Sequence, residues 1–236
     1  MVDKYIEKFK KLSTYMAAYM RDVTYPMHPS IQTNSTYDVQ VIGRAFTVKG
    51  PDIYMNALHS IPEGSVYVHA NAHETQGVWC GAFVDLYGRC RGLQAAVIDG
   101  GITNRKDTAD CEIPTFSKFA TTIPALNRKD GVTQVPVVCG GVTVKPGDII
   151  LGDADGVVVI PQENEEEIYN KLDLLLSAVE FFMEVYEAEA KGTVLTDHEI
   201  LGDIFQHKYD HPVDYWRYYE PWAAKWRPIW EKRKKG

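Results

Sequence analysis

The segment from Pro136 to Pro161 constrains the fold more than any other part of the sequence, because it alternates short β-branched runs with turn-forming residues. The turns read Gly140-Gly141, Pro146-Gly147-Asp148 and Asp153-Ala-Asp-Gly156. Glycine permits the positive φ of tight turns, proline pre-sets φ at the first turn position, and aspartate hydrogen-bonds its own backbone. Short Val- and Ile-rich runs between such turns are typical of buried strands. The segment therefore predicts several closely spaced strands.

Similar runs occur earlier in the chain and indicate an α/β fold. The predicted strands span residues 39–48, 66–69, 95–99, 135–138, 149–151 and 157–160. Apolar residues at helical spacing from Tyr5 to Met16 predict an N-terminal helix. Trp79–Cys90 is the best helix candidate between the second and third strands.

From Pro161 the pattern changes to that of a long amphipathic helix. Pro161 stands at its entry and Gly192 just past its end, which are the positions that these residues favour. The apolar residues that recur at 3.6-residue spacing are Ile168, Leu172, Leu175, Val179, Phe182, Tyr186 and Ala190. Glu180, Glu184 and Glu187 fall together on the polar flank of this helix.

The C-terminal region is rich in aromatic residues. Nine Phe, Tyr and Trp side chains lie between residues 205 and 230, and aromatic residues at this density bury large areas and concentrate at interfaces. We therefore predict a domain of residues 1–192 and an aromatic C-terminal extension of residues 193–236. The extension is expected to pack on its own body or on a neighbouring subunit, and we favour the neighbour.

Charge and cysteine usage exclude some classes of function. The net charge is −7, and residues 225–236 hold six Lys or Arg against one Glu, a local +5 that leaves −12 for the rest (−7 minus +5). An acidic body disfavours nucleic acid as a partner. No stretch approaches the ~20 apolar residues that span a bilayer. The four cysteines lack CxxC spacing, which indicates reduced thiols and a cytoplasmic location.

Three blocks resemble one known family, the RraA-like or class II pyruvate aldolase family. They are Gly43–Val48 with Pro62–Val66, Gly81–Val84 with Gly92–Gly100, and Pro136–Pro161, which is the most specific. The resemblance covers residues 40–192. It implies a compact α/β/β sandwich domain with a long C-terminal helix, assembled as a homotrimer or homohexamer. It also favours a structural turn at Asp153 and Asp155 over the hard-cation site that paired carboxylates suggest.

The catalytic motif of that family is not retained. The family has an Asp or Glu, twenty intervening residues and then Arg-Asp, and an ungapped comparison places Ala82, Thr103 and Asn104 at these positions. By resemblance, the first acid handles the proton, the Arg pairs with the substrate carboxylate, and the last Asp holds Mg²⁺ or Mn²⁺. Alanine moves no proton and threonine cannot pair bidentately with a carboxylate. Asn104, our one candidate metal ligand, offers only a neutral oxygen, and no organic cofactor is indicated.

A pocket for a small anion is nevertheless expected. Backbone N–H groups where the helix opens can bind a carboxylate, and the substrate-binding candidates are Gly81, Ala82, Phe83, Val84, Asp99, Thr103 and Glu184. Glu184 is included among these candidates because, by resemblance, the family places a glutamate of an adjacent subunit in the pocket. Glu180 and Glu187 are alternatives to Glu184. The catalytic candidates are His73, Asn104 and Arg105, with His73 as the proton-transfer group. A local shift that brings Arg105 or Asp107 inward would restore ordinary aldolase chemistry.

The sequence therefore predicts a lyase, aldolase-like or decarboxylase-like, that acts on a small carboxylate or 2-oxo acid with altered active-site chemistry. We expect the reactions named for the family, 4-hydroxy-4-methyl-2-oxoglutarate cleavage and oxaloacetate decarboxylation, to be weak or absent. The alternative is a non-catalytic interaction or regulatory protein. No Gly-rich nucleotide loop supports a methyltransferase, and neither nucleic acid nor membrane is expected as a partner.

Overall fold

A computed structural model describes residues 3–35, 39–50, 59–70, 77–110, 112–124, 131–192 and 199–235, with the backbone alone at 78–80, 82–85 and 110. The fold is mixed α/β. The chain forms two compact units, Met1–Ala18 with Val23–Glu165 and Tyr19–Asp22 with Glu166–Gly236, called here the sheet unit and the helical unit.

The sheet unit contains the strands of the described chain. They are β1 Tyr25–Pro26, β2 Gln32–Thr33, β3 Gln40–Lys49, β4 Ser65–Ala70, β5 Val78–Cys80, β6 Ala95–Ile102, β7 Thr115–Ala120, β8 Val132–Thr133, β9 Val137–Cys139, β10 Val142–Val144, β11 Ile149–Asp153 and β12 Gly156–Ile160. The main sheet has the order β1-β12-β11-β3-β4-β6-β7-β2, with β5 on β6 and β8 on β3, and β9 and β10 form a hairpin. Strands β3, β4, β6 and β7 are parallel.

The central parallel strands β3, β4 and β6 form the core, because apolar side chains cover both of their faces. Every residue of β4 is buried, as expected for a parallel strand enclosed on both sides. Side chains alternate between two clusters: Val66 and Val68 belong to one, and Tyr67 belongs to the other. This alternation is the two-residue period of a strand.

The turns predicted between residues 136 and 161 are confirmed. Gly140 and Gly141 have φ of +56° and +79° and join β9 to β10 with Cys139 opposite Val142, as in a two-residue hairpin turn that needs positive φ at both positions. Asp153 Oδ1 accepts a hydrogen bond of 2.9 Å from the Asp155 amide. Asp153 Oδ2 accepts one of 2.9 Å from the Thr14 amide. Asp153 therefore acts as a structural acceptor.

Two helix predictions need correction. The segment Trp79–Cys90 is not helical throughout, because Val78–Cys80 is strand β5 and the helix, α3, is Ala82–Cys90. The N-terminal segment forms α1 Lys4–Phe9 and α2 Thr14–Ala18. Ser13 interrupts it, because its hydroxyl accepts a hydrogen bond from the Met16 amide at 3.1 Å and so caps a new helix. A further short helix, α4, spans Arg105–Asp110.

The long helix is confirmed as α5, Glu165–Ala190. Gly192 follows it with φ of +65°, the left-handed conformation that ends many helices. The C-terminal residues form α6 Glu199–Asp210 and α7 Tyr219–Arg233. No helix among the residues with described coordinates combines the length and apolarity needed to cross a bilayer.

The aromatic residues of the tail pack inside the helical unit of their own chain. Trp222, Trp226 and Trp230 share a buried cluster with Phe181 and Val185 of α5. Four indole N–H groups donate to acceptors in the same unit: Trp216 to Asp22, Trp222 to the Ile200 carbonyl, Trp226 to Asp203 and Trp230 to Glu184. The division at residue 192 and packing on a neighbouring subunit stay predictions.

Candidate functional site

The candidate residues meet where three strands of the sheet unit end. Val78 pairs with Gly101, Cys80 pairs with Ile102, and Ile102 pairs with Ala120, all in parallel. The chain segments that follow β5, β6 and β7 therefore leave the sheet at the same edge. In parallel sheets, ligands bind outside the carboxyl ends of the strands, so this edge is the natural position for a pocket.

Gly81 and Thr103 are in contact at this edge. Gly81 is the N-cap of α3 and has an extended backbone, and a Cβ added to it would lie 3.0 Å from Cγ2 of Thr103. The first N–H groups of a helix have no partner within the helix, and the dipole there favours negative charge. Gly81 has no side chain that could cap these groups. The first turn of α3, at Ala82, Phe83 and Val84, thus follows directly from the contact of Gly81 with the Thr103 side chain, and its amides are those that a helix leaves without an internal partner.

Asn104 occupies the turn between β6 and α4. Its φ is +53°, a left-handed conformation that asparagine tolerates better than most residues. Its side chain is exposed and makes two long contacts, 3.4 Å from Oδ1 to the Thr103 hydroxyl and 3.5 Å from Nδ2 to Asp107 Oδ2. Contacts of this length hold the amide weakly, so it is available to a ligand.

Asn34, which sequence reasoning did not single out, holds Arg105. Arg105 Nε donates to Asn34 Oδ1 at 2.6 Å, and Asn34 Nδ2 donates to the Arg105 carbonyl at 2.7 Å. Asn34 directly follows β2, and nothing in the surrounding sequence indicates that its side chain contacts α4. The catalytic role of Arg105 stays a prediction.

Asp99 is paired with Lys118, a second residue that sequence reasoning missed. The two side chains form an ion pair across β6 and β7, and Asp99 Oδ2 also accepts from the Gly140 amide at 3.3 Å. The strands bulge here, since three residue steps on β6, from Ile98 to Gly101, face two on β7. Such bulges re-aim side chains next to active sites. Lys118 was missed because 115–120 was not predicted as a strand.

The surroundings of Asp99 are otherwise buried. Burial, with the negative charge of Asp99 as a smaller cause, raises the pKa of the Cys139 thiol far above its usual value. Cys139 therefore stays a protonated, unreactive thiol. The only exposed cationic group that contacts Asp99 among the described residues is the Lys118 ammonium, whose side chain is 37% exposed.

His73 lies outside the described residues, as does Glu74. The described chain stops at Ala70, whose register partner is Asp99. It resumes at Gly77, whose carbonyl oxygen would lie 2.8 Å from a Cβ added to Gly101. His69 is a core histidine: its Nε2 is 2.8 Å from the Gly50 carbonyl oxygen, and burial lowers its pKa.

Glu184 is held within the helical unit. Its Oε1 accepts 2.8 Å and 2.6 Å hydrogen bonds from Trp230 Nε1 and Lys234 Nζ. The bond from Lys234, and then the one from Trp230, lowers the pKa of Glu184. Glu187 forms an ion pair of 2.9 Å with Lys191. Of the three alternatives on α5, Glu184 and Glu187 thus have partners in their own chain.

The donors around Asn104 do not fit Mg²⁺ or Mn²⁺. Hard divalent cations need several oxygen ligands, normally with more than one carboxylate among them. Asn104 supplies a neutral oxygen, and among the residues that the structure describes Asp107 is the carboxylate that contacts it. No group of three or more His, Cys, Asp or Glu in the described part of the chain is arranged to hold a metal.

Comparison with known proteins identifies similar sequences and folds. Residues 10–159 match the profile of the RraA-like family, described as Aldolase/RraA. A protein of Halalkalibacterium halodurans named "Putative 4-hydroxy-4-methyl-2-oxoglutarate aldolase" is 36% identical over 138 residues, which are 56% of this chain and 65% of that protein. The match thus covers less than two thirds of that relative's length.

Two solved structures extend the comparison. An uncharacterized protein of Pseudomonas syringae has a TM-score of 0.68 and 25% identity over 80% of this chain and 90% of its own. The RNA-processing inhibitor RraA of Thermus thermophilis has a TM-score of 0.56 and 18% identity over 64% of this chain and 92% of its own. At 18% identity, the second likeness concerns the fold alone.

Proposed function

This chain belongs to the RraA-like family, and from that premise we propose that it is a lyase-type enzyme acting on a small carboxylate or 2-oxo acid. The name of the Halalkalibacterium relative supports an aldolase-like or decarboxylase-like reaction. The residues that stand in place of the family motif, Ala82, Thr103 and Asn104, argue that the chemistry is altered. Cleavage of 4-hydroxy-4-methyl-2-oxoglutarate and decarboxylation of oxaloacetate are therefore expected to be weak or absent.

The contact between Gly81 and Thr103 carries the proposal. It brings the N-terminal end of α3 next to Thr103, which carries a hydroxyl. The next residue, Asn104, carries a carboxamide that is only weakly held. Amide N–H groups at a helix N-terminus bind carboxylates. In our proposal the amides at residues 81–84 bind the substrate carboxylate, while Thr103 and Asn104 orient its 2-oxo group.

Lys118 supplies the positive charge in this proposal. Cleavage of the C3–C4 bond of a 2-oxo acid leaves its electron pair on C3, which forms an enolate with the C2 carbonyl. The negative charge that develops on the enolate oxygen needs preorganised donors. We assign this role to Lys118 ahead of Arg105, because Asn34 already binds the Arg105 guanidinium at 2.6 Å. Asp99 positions the ammonium through its ion pair.

Proton transfer is assigned to His73. The described residues on either side of its segment support this: Ala70 is paired with Asp99, and Gly77 lies against Gly101. Ala82 carries no acid, so the proton of the reaction must move through a residue outside the family motif. The imidazole has an ordinary pKa of about 6.5 and can act as acid or base near neutral pH. Because the donors beside Asn104 do not fit a divalent cation, no step of this proposal uses a metal.

We further propose a cytoplasmic homo-oligomer, a trimer or hexamer, whose partner is a small anion and not nucleic acid. Ion pairs in the tail support the exclusion of nucleic acid, because three of the six basic residues between 225 and 236 have acidic partners. Lys225 pairs with Asp203 at 2.9 Å, Arg233 with Glu199 at 2.9 Å and Lys234 with Glu184 at 2.6 Å. These ion pairs reduce the positive charge that the tail offers to phosphate groups.

A second candidate is a non-catalytic interaction protein. The loss of both acids and the arginine of the family motif favours it, and the fold resembles that of an RNA-processing inhibitor. The two candidates differ in the chemistry of the pocket: an enzyme binds a 2-oxo acid at residues 81–84 and 103–104, whereas an interaction protein does not.

Calorimetry in the presence of EDTA tests the proposal. Oxalate, which mimics the enolate of pyruvate, is titrated into the wild type, Thr103→Val and the control Thr143→Val, which alters an exposed threonine on β10. We expect oxalate to bind the wild type, and Thr103→Val to weaken it about tenfold through loss of a hydrogen bond of roughly 1–1.5 kcal/mol. Absence of binding for oxalate and for a panel of 2-oxo acids would favour the interaction protein. Strong, Mg²⁺-dependent aldolase turnover would show instead that the family's ordinary chemistry is intact.

A further inference from the structure

Asn34 binds α4 with both polar atoms of its side chain. Its Oδ1 accepts a hydrogen bond of 2.6 Å from Arg105 Nε. Its Nδ2 donates to the Arg105 carbonyl at 2.7 Å and to the Thr108 hydroxyl at 2.6 Å. The orientation of the amide follows from chemistry, because a guanidinium only donates and must therefore face the amide oxygen. These three bonds hold the first turn of α4.

The backbone of Asn34 is anchored on the sheet. Thr33, the last residue of β2, pairs with Phe116 of β7. The Asn34 amide donates to the Thr115 carbonyl at 2.8 Å. Asn34 therefore connects the sheet to α4.

Helix α4 needs such contacts because it is short. It has six residues, and isolated helices of fewer than about 12 residues are marginal in water. Thr108 supplies a second contact, since its side chain is fully buried and its hydroxyl donates to the Arg105 carbonyl at 3.0 Å. Asn34 and Thr108 thus bind the same carbonyl oxygen and also bind each other.

The position of Asn104 depends on these contacts. Its carbonyl accepts a hydrogen bond of 2.9 Å from the Thr108 amide, and the residue after it is Arg105. Its φ of +53° is sparsely populated, and residues persist in such conformations only where the surrounding structure fixes them. The Asn104 side chain does not fix it, because its own contacts are 3.4 Å and 3.5 Å long. The bonds through Asn34 and Thr108 do.

We propose that Asn34 is a positioning residue, which sets the direction of the Asn104 carboxamide through α4. This inference rests on the proposed function, in which Asn104 orients the 2-oxo group of the substrate. In this arrangement Asn104 Nδ2 donates to the oxo oxygen of a 2-oxo acid. A donor that is already fixed in the binding geometry loses little conformational freedom when the ligand arrives. Asn34 therefore strengthens binding without touching the ligand.

A thermodynamic cycle of oxalate binding tests this. Calorimetry in EDTA compares the wild type, Asn34→Ala, Asn104→Ala and Asn34→Ala/Asn104→Ala. We expect each single variant to bind oxalate about fivefold more weakly, a typical coupling for residues that act together. The double variant should bind no more weakly than Asn104→Ala, because the effect of Asn34 passes through Asn104. A role in stability alone would lower the free energy of unfolding in urea and give no such coupling.

A conservative pair at Thr108 provides a second test, which does not depend on the folding of Asn34→Ala. Thr108→Ser keeps the hydroxyl that Asn34 binds, and Thr108→Val replaces it with a methyl group of similar size. We expect Thr108→Ser to bind oxalate as tightly as the wild type and Thr108→Val to bind it about fivefold more weakly. Asn164→Ala is the control and should keep full affinity. Asn164 lies directly before α5, and its Nδ2 also donates to a backbone carbonyl, that of Val23, at 2.9 Å.

The outcomes separate this inference from the proposed function. Failure of the wild type to bind oxalate or any 2-oxo acid overturns both. The positioning role alone is overturned if Asn34→Ala binds like the wild type, if it causes an equal loss with and without Asn104→Ala, or if Thr108→Ser and Thr108→Val bind equally well. Full affinity in Asn104→Ala also overturns it, because Asn104 is then not the group that Asn34 positions.

Discussion

Lys118 on β7 forms an ion pair with Asp99 on β6 where the two parallel strands bulge. The Asp99 side chain is 12% exposed and that of Lys118 is 37% exposed, so the carboxylate lies inside and the ammonium lies nearer to solvent. Asp99 is fixed a second time by the Gly140 amide. The pair thus holds a cation in position on β7, two residues before that strand ends at Ala120.

Replacement of Lys118 by Met should weaken oxalate binding at least tenfold and lower the free energy of unfolding by about 3 kcal/mol, because a largely buried carboxylate loses its partner. Calorimetry measures the first effect and urea denaturation the second. Lys118→Met/Asp99→Asn should recover much of the stability and none of the affinity. Lys106→Met, at an exposed lysine of α4, is the control. Unchanged oxalate affinity in Lys118→Met would remove Lys118 from the pocket.

Gly81→Ala should weaken oxalate binding, because its Cβ would lie 3.0 Å from the Thr103 methyl and one of the two groups must move. Thr103→Ser keeps the hydroxyl and removes that methyl, so Gly81→Ala/Thr103→Ser should bind oxalate more tightly than Gly81→Ala alone. Gly202→Ala on α6 is the control, since a Cβ there meets nothing within 4 Å. If the double variant is as weak as the single one, crowding against Thr103 is not the cause.

Arg44→Met should be among the most destabilising single substitutions in the sheet unit. Arg44 donates to both oxygens of Glu165, whose side chain is 6% exposed, and to Asp3. Removal of the guanidinium leaves a buried carboxylate unpaired, at a cost of about 3–5 kcal/mol. Urea denaturation of Arg44→Met and Arg44→Met/Glu165→Gln checks this, and the double variant should be the more stable of the two. Lys10→Met, which breaks the exposed pair with Glu7, should change stability by less than about 1 kcal/mol.

The helical unit should lose stability in acid through Asp203. Burial alone would raise the pKa of this carboxyl, but hydrogen bonds from Lys225 and Trp226 lower it below its ordinary value of 3.8. A carboxyl with a lowered pKa in the folded state stabilises the fold above its unfolded pKa, and this contribution is lost as pH falls through the folded pKa. Tryptophan fluorescence during urea denaturation should therefore show stability falling below about pH 4, and falling less steeply in Asp203→Asn. Asp210→Asn, at an exposed position of the same helix, should keep the slope of the wild type; an equal slope in Asp203→Asn would contradict the assignment.

Local patterns were sufficient for much of the architecture. Gly140-Gly141 and Gly192 predicted a turn between short strands and a helix end, because few residues other than glycine adopt positive φ readily. The spacing from Ile168 to Ala190 predicted α5 because its period is that of a helix. The strand Thr115–Ala120 was missed, since half of it is exposed and it lacks a β-branched run. The helix was expected from Trp79 but begins at Ala82, because Val78 and Cys80 pair with β6 and form strand β5 instead. Pairing with a strand so far along the chain cannot be seen in the local sequence.

The sequence by itself determined the α/β class and the family, and it placed Ala82, Thr103 and Asn104 at the spacing of the family motif. These follow from residue identity and from spacing along the chain, which folding does not change. Only the tertiary structure decided that Lys118 meets Asp99, that Asn34 binds Arg105, that Gly81 touches Thr103, and that Trp230 and Lys234 bind Glu184. Each of these contacts joins residues more than ten positions apart, and the pairing of strands and helices that brings them together leaves no mark in the local pattern of residues.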